Sequence, residues 1–346
     1  MNRRDWKGVM PAITTPFTKK LDVDLAFFGR HAAWMVDAGC TGIVTPGSLG
    51  EGATLSSHEK SALWRALAAA VGDRAHAIAA IAAAGTQDAV DAARAARDAG
   101  CVGLMVLPPY VYKGTWREMK AHFAAVFEAT PLSCMLYNNP IAYGTDVLPE
   151  QVTELAREHK NLHAVKESSA DIRRLAAIRA LLADRLALFV GVDDLLVEGV
   201  AAGAEGWIAG LANALPYESV RLFELARDGR HEAAAKLYEW FLPLLRMDTT
   251  PDFVQLIKLV QDAAGRCGPG GPATRPPRLL PAGAERREVD RVIAEALATR
   301  PSLTTVPSRA AVPREAVSRP AVLRAAVSRP AVPRPAAKRK ASRRPR

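Results

Sequence analysis

The sequence predicts an α/β fold: a (β/α)8 TIM barrel with a carboxyl-terminal helical extension and a disordered basic tail. Three observations carry that prediction. From Gly8 to about Ala212, short apolar runs alternate with Ala- and Arg-rich stretches of helical period, the pattern of a parallel sheet buried on both faces. Eight such runs fit into roughly 200 residues, which suits a closed barrel better than an open sheet. Beyond Pro301 the composition changes outright: Arg recurs every five residues from Arg309 to Arg334 among Ala, Val and Pro.

The expected strands, in order, are Val9–Ile13, Gly42–Thr45, His76–Ile81, Gly103–Leu107, Ser133–Tyr137, Leu162–Lys166, Ala187–Gly191 and Gly206–Ala209. Helix signals fall between them. Ser56-Ser57-His58-Glu59 reads as a capping box, and Asp37-Ala38-Gly39 and Asp98-Ala99-Gly100 read as stops. Three further helical stretches, Tyr217–Asp228, Glu232–Leu245 and Pro251–Ala264, extend the barrel. A Gly- and Pro-rich break at Gly265–Pro281 precedes a last helix over Ala284–Ala298. The expected division is therefore barrel 1–215, helical extension 216–300 and tail 301–346.

The charge belongs to the tail. Residues 301–346 hold twelve Lys or Arg against one acid, Glu315, so this segment carries +11 of a total of +10 and residues 1–300 sum to −1. The basic balance says nothing about what the barrel acts on. With few large apolar residues and many prolines, the tail cannot bury a core; its cations suit only non-specific contact with nucleic acid or another polyanion. Cys40, Cys101, Cys134 and Cys267 are widely spaced, which suggests neither a zinc site nor a disulfide framework and fits a reducing cytoplasm. No run reaches the length of a membrane span and no leader is apparent, so a soluble cytoplasmic protein without a membrane partner is expected.

In a barrel of this kind, catalytic groups come from the carboxyl ends of strands and the loops after them. The unusual residues lie there: Pro46-Gly47-Ser48-Leu49-Gly50-Glu51-Gly52 after strand two, Tyr137-Asn138-Asn139-Pro140 closing strand five, and Lys166-Glu167-Ser168 closing strand six. A lysine ending a buried strand is costly unless paired or neutral, and neutral lysine is a good nucleophile toward a carbonyl. Alone, such a lysine is more often a snorkelling cation or a partner for Glu167. Tyr137, at the same position on the preceding strand, can shuttle a proton beside an imine carbon, and backbone N–H groups of the glycine loop with the Ser48 hydroxyl suit a carboxylate. That combination favours a Schiff base on Lys166 with a small 2-oxo or 2-imino acid. By strand alternation His163 should face the helix layer, and His31, His58, His122, His159 and His231 fall in helical segments. No nucleotide-binding or metal-ligand string appears, so no cofactor and no metal is expected.

Together, GxxGE, YNxP, KES and Gly191-Val192-Asp193-Asp194, in this order and spacing, resemble the dihydrodipicolinate synthase / N-acetylneuraminate lyase family of Schiff-base barrels over about residues 7 to 300. The resemblance implies that Lys166 forms the covalent imine, Tyr137 is the acid–base group and Ser48 relays protons and contacts the substrate carboxylate. It also implies that Gly47, Leu49, Gly191 and Ile208 line the pocket, and that the chain is a homo-oligomer, a tetramer or dimer. Three positions depart from the lysine-biosynthetic branch: Ala142 stands where an arginine grips a second carboxylate, Leu49 replaces a threonine, and Val111 replaces a relay tyrosine near Tyr112.

The string Tyr137-Asn138-Asn139-Pro140-Ile141-Ala142-Tyr143-Gly144-Thr145-Asp146-Val147 is most similar to the branch that deaminates 1-pyrroline-4-hydroxy-2-carboxylate in hydroxyproline breakdown. The alternatives are a 2-keto-3-deoxy sugar-acid dehydratase or aldolase, the synthase itself, and, in another class, a polyanion binder acting through the tail.

Overall fold

The computed structural model describes residues 1–303. The tail expected at 301–346 lies almost wholly outside these residues. Eight parallel strands run β1 (Gly8–Val9), β2 (Gly42–Thr45), β3 (His76–Ile81), β4 (Gly103–Val106), β5 (Ser133–Asn138), β6 (Leu162–Glu167), β7 (Ala187–Val190) and β8 (Gly206–Trp207). Each pairs with its sequence neighbour from β2 to β8, and β1 pairs with β8. The seam between β1 and β2 is bridged at Ala12 and Val44, where Val44 N–H donates to the Pro11 carbonyl. Pro11 has no N–H to give, which is why the first strand ladder is shorter than its apolar run.

Between the strands lie α1 (Leu25–Asp37), α2 (Ser57–Val71), α3 (Thr86–Asp98), α4 (Trp116–Glu128), the one-turn α5 (Pro140–Tyr143), α6 (Pro149–Glu158), α7 (Arg173–Leu182) and α8 (Leu196–Ala201). The Ser56 and Glu59 capping box forms as its sequence implies, satisfying two N–H groups at the start of α2. After β8 come α9 (Pro216–Arg227), α10 (His231–Leu245), α11 (Phe253–Ala263) and α12 (Gly283–Ala298). Among the described residues no helix is long and apolar enough to cross a membrane.

The barrel is filled by inward side chains of successive strands, among them Met10, Val44, Ile78, Met105, Met135, Ala164 and Phe189. Phe189 occupies so much of that space that a Cβ at Gly206 would fall 2.2 Å from its ring, so only glycine fits there. Trp6 packs on Phe189 edge to face at 6.0 Å and donates its indole N–H to Ser133 Oγ at 2.7 Å. His163 corrects the alternation argument. The β5–β6 register slips between Cys134 and Met135, which leaves His163 without a ladder partner, and its Nδ1 lies 2.7 Å from Ser133 Oγ instead of in the helix layer.

Candidate active site

Strand alternation on β6 turns Ala164 and Lys166 inward and Glu167 outward. Lys166 is in register with Tyr137 on β5, so the two side chains emerge side by side at the carboxyl ends of their strands. The lysine is 6% exposed and the tyrosine 5%. The Lys166 nitrogen sits 3.9 Å from the centroid of the Tyr137 ring. Burial lowers the lysine pKa, against the pull of Tyr143, Asp248 and Asp193, and so raises the fraction of free amine at any given pH. Burial likewise raises the Tyr137 phenol, partly offset by Asn139, whose Nδ2 donates to the phenol oxygen at 3.0 Å.

The alternative pairing of Lys166 with Glu167 is not made. Glu167 accepts instead from Asn138 Nδ2 at 3.1 Å and from the Ser169 backbone N–H at 2.7 Å on the outer side of the strand. Gly191, following β7, backs the lysine directly. A Cβ there would lie 2.4 Å from Lys166 Cε and 2.0 Å from Ser168 Oγ, so the lysine is held extended against bare backbone. Replacing Gly191 with alanine must therefore push the reacting nitrogen aside. Steady-state kinetics on Gly191→Ala should show kcat lower by about 100-fold, the usual cost of an ångström-scale misplacement; an unchanged kcat would mean that the lysine is not held by this contact.

The glycine loop after β2 is tightly folded. A Cβ on Gly52 would fall 2.5 Å from the Pro46 carbonyl oxygen and one on Gly50 2.9 Å from that of Ile13. Ser48 Oγ makes a short hydrogen bond with Tyr143 OH from α5, and the Tyr143 ring meets Tyr137 edge to face at 5.9 Å. A Cβ on Gly47 would make ordinary van der Waals contact, with Ala80 Cβ at 3.7 Å and Met105 Cε at 3.8 Å. Leu49 and Ile208 are buried, Ile208 within the same apolar cluster as Tyr137. Glu51 is a different matter. It points away from the mouth and pairs with Lys258 of α11 at 2.6 Å, so the last residue of the GxxGE string is an anchor for the loop.

Asp193 sits fully buried after β7, accepting from Trp207 Nε1 at 2.8 Å and from the Gly210 and Leu211 N–H groups. Burial raises its pKa to about 6 against those donors. Two groups at the mouth had no separate sequence argument. Tyr143 lies six residues past Tyr137, a spacing that becomes meaningful only because Asn139 caps a single helical turn through Ala142 N–H. Asp248 ends a 3-10 turn after α10 and reaches the mouth from the extension. In the single chain, Tyr112 is 58% exposed and donates to Glu118 Oε1 at 3.2 Å, next to Val111 at 73%.

Fold and site together describe an imine-forming barrel lyase, with amine and phenol adjacent on neighbouring strands and the glycine loop joined to them through Ser48 and Tyr143. The sequence profile of the Dihydrodipicolinate synthetase family matches residues 5–296, and the chain belongs to that family. It is 37% identical over 228 residues to the 4-hydroxy-tetrahydrodipicolinate synthase of Xanthomonas campestris pv. campestris, covering 66% of this chain and 75% of that protein. The protein of the same name from Moorella thermoacetica is 34% identical over 295 residues, 84% of this chain and 97% of its own length. Among solved structures, a dihydrodipicolinate synthase from Bacillus anthracis aligns with a TM-score of 0.78 at 27% identity, covering 84% of this chain and 98% of the other.

Proposed function

We propose that the protein is a Schiff-base deaminase that converts 1-pyrroline-4-hydroxy-2-carboxylate to 2,5-dioxopentanoate and ammonia. The observation that carries the reading is the desolvated Lys166 amine lying 3.9 Å over the Tyr137 ring. Ala142 supports the choice of substrate, because this chemistry needs only one carboxylate held, and α5 offers a methyl where the synthase branch is expected to carry a guanidinium.

In the proposed sequence, the Lys166 amine adds to C2 of the cyclic imine and the ring nitrogen leaves as a primary amine on C5. The new imine, once protonated, is an electron sink beside Tyr137, and its positive charge favours the phenolate. Tyr137 then removes a C3 proton, the C3–C4 double bond forms and the C4 hydroxyl departs. The product amine tautomerises to an aldimine at C5. Hydrolysis at C5 and at C2 consumes two waters, releases ammonia and the dioxo acid, and returns Lys166.

A second reading is favoured by the names of the curated relatives, condensation of pyruvate with aspartate semialdehyde as a 4-hydroxy-tetrahydrodipicolinate synthase. Side-by-side assays separate the two. Ammonia release from the pyrroline substrate, with no consumption of pyruvate plus semialdehyde, is the expected result; the reverse would establish the synthase.

A further inference from the structure

The expulsion of hydroxide from C4 needs a proton donor, and neither Lys166 nor Tyr137 is free to be one. Lys166 is bonded to C2 at that stage, and Tyr137 is taking the C3 proton. Water is a far better leaving group than hydroxide, and a positioned acid is worth about 10²–10⁴ in rate. The donor must be a further group at the mouth.

Two carboxyl groups lie beside Lys166, within electrostatic reach of its nitrogen. Asp193 is committed, since its oxygens accept from an indole and two backbone N–H groups. Asp248 is not. It is half-buried, and among the described residues no hydrogen bond or ion pair engages its carboxyl. The carboxyl lies over the chain just past β8: a Cβ at Gly210 would fall 2.4 Å from its Oδ1, and Gly210 N–H in turn donates to Asp193. Lys166, Tyr137 and Asp193 all lie within electrostatic reach of it. Burial first, then the charge of Asp193, raises Asp248 well above the usual carboxylate range, because two carboxylates in one desolvated site resist ionising together.

We propose that Asp248 is the general acid that protonates the departing C4 hydroxyl. The assignment rests on the deaminase reading above. As the C3–H electron pair becomes the C3–C4 double bond, the C4–O bond breaks with its pair on oxygen. The Asp248 proton joins that oxygen to give water, and the carboxylate left behind regains a proton from solvent before the next cycle. The helical extension thereby supplies a group that the barrel strands lack.

The experiment uses the full chain with Asp248→Asn and Asp248→Ala, the pyrroline substrate, and its 4-chloro analogue, whose chloride departs without a proton. Both variants should form the borohydride-trapped adduct on Lys166 as the wild type does, which also reports an intact fold. Turnover of the hydroxyl substrate should fall at least 100-fold, while the chloro analogue should be processed within a few-fold of wild type. Unchanged turnover of the hydroxyl substrate, or equal slowing with both leaving groups, would overturn the assignment. An absence of adduct in the wild type would instead overturn the deaminase reading itself.

Discussion

Replacing Lys166 with alanine should remove the borohydride-trapped adduct completely and lower turnover by at least about 10⁴-fold, the scale on which loss of a covalent nucleophile is felt. Arginine should be as inactive as alanine, because its guanidinium stays protonated and cannot add to C2. The methionine variant tests the physical argument more sharply. Lys166 is 6% exposed, is lowered in pKa chiefly by burial, and sits on an aromatic ring, with no carboxylate of the described residues within ion-pair distance. An amine in that place is held at a cost to stability, so Lys166→Met, which fills similar volume, should melt at the same temperature as wild type or higher while showing no activity. Mass mapping after borohydride reduction and a thermal melt on the same preparation provide both readouts. An adduct that survives in Lys166→Ala would refute the imine assignment.

The pairing of Lys166 and Tyr137 was legible in the sequence for a simple reason. Both close buried apolar runs of adjacent strands, and a parallel ladder with a period of two residues leaves one choice of face. The same rule misplaced His163, because a register slip between Cys134 and Met135 breaks the period and cannot be read from composition. Glu51 had no sequence argument of its own. It belongs to a glycine string suited to anions, yet its backbone adopts φ 55°, and the carboxylate leaves toward α11. Asp248 and Tyr143 were out of reach for a third reason. Each depends on a short irregular turn, the 3-10 turn at Arg246–Asp248 and the single turn of α5, to bring its side chain over the mouth. Strand patterns report position within the sheet; they carry nothing about where a following turn aims its last residue.

That geometry makes the attachment of the extension to the barrel a functional matter, and one buried ion pair bears much of it. Lys258 lies mid-helix on α11, 3% exposed, and donates to Glu51 Oε1 at 2.6 Å, to the Thr15 carbonyl at 2.8 Å and to the Ala273 carbonyl at 2.6 Å. Glu51 is fully buried and takes a further N–H from Arg275 at 2.9 Å. Lys258→Met would leave that buried carboxylate only the Arg275 N–H and the Arg278 guanidinium 4.0 Å away, and should cost about 3 kcal/mol of unfolding free energy, read as a lower urea midpoint. Glu51→Gln alone leaves the ammonium buried and should cost a similar amount. Combining the two removes both charges, so the double variant should be more stable than the sum of the single losses requires, by a coupling of about 1–3 kcal/mol. The functional consequence follows from connectivity: Glu51 is three residues from Ser48, so a loosened loop should raise KM for any carboxylate substrate more than it lowers kcat. Additive losses in the double variant, or a urea midpoint that does not move in Lys258→Met, would show that the loop is held by its glycines and backbone alone.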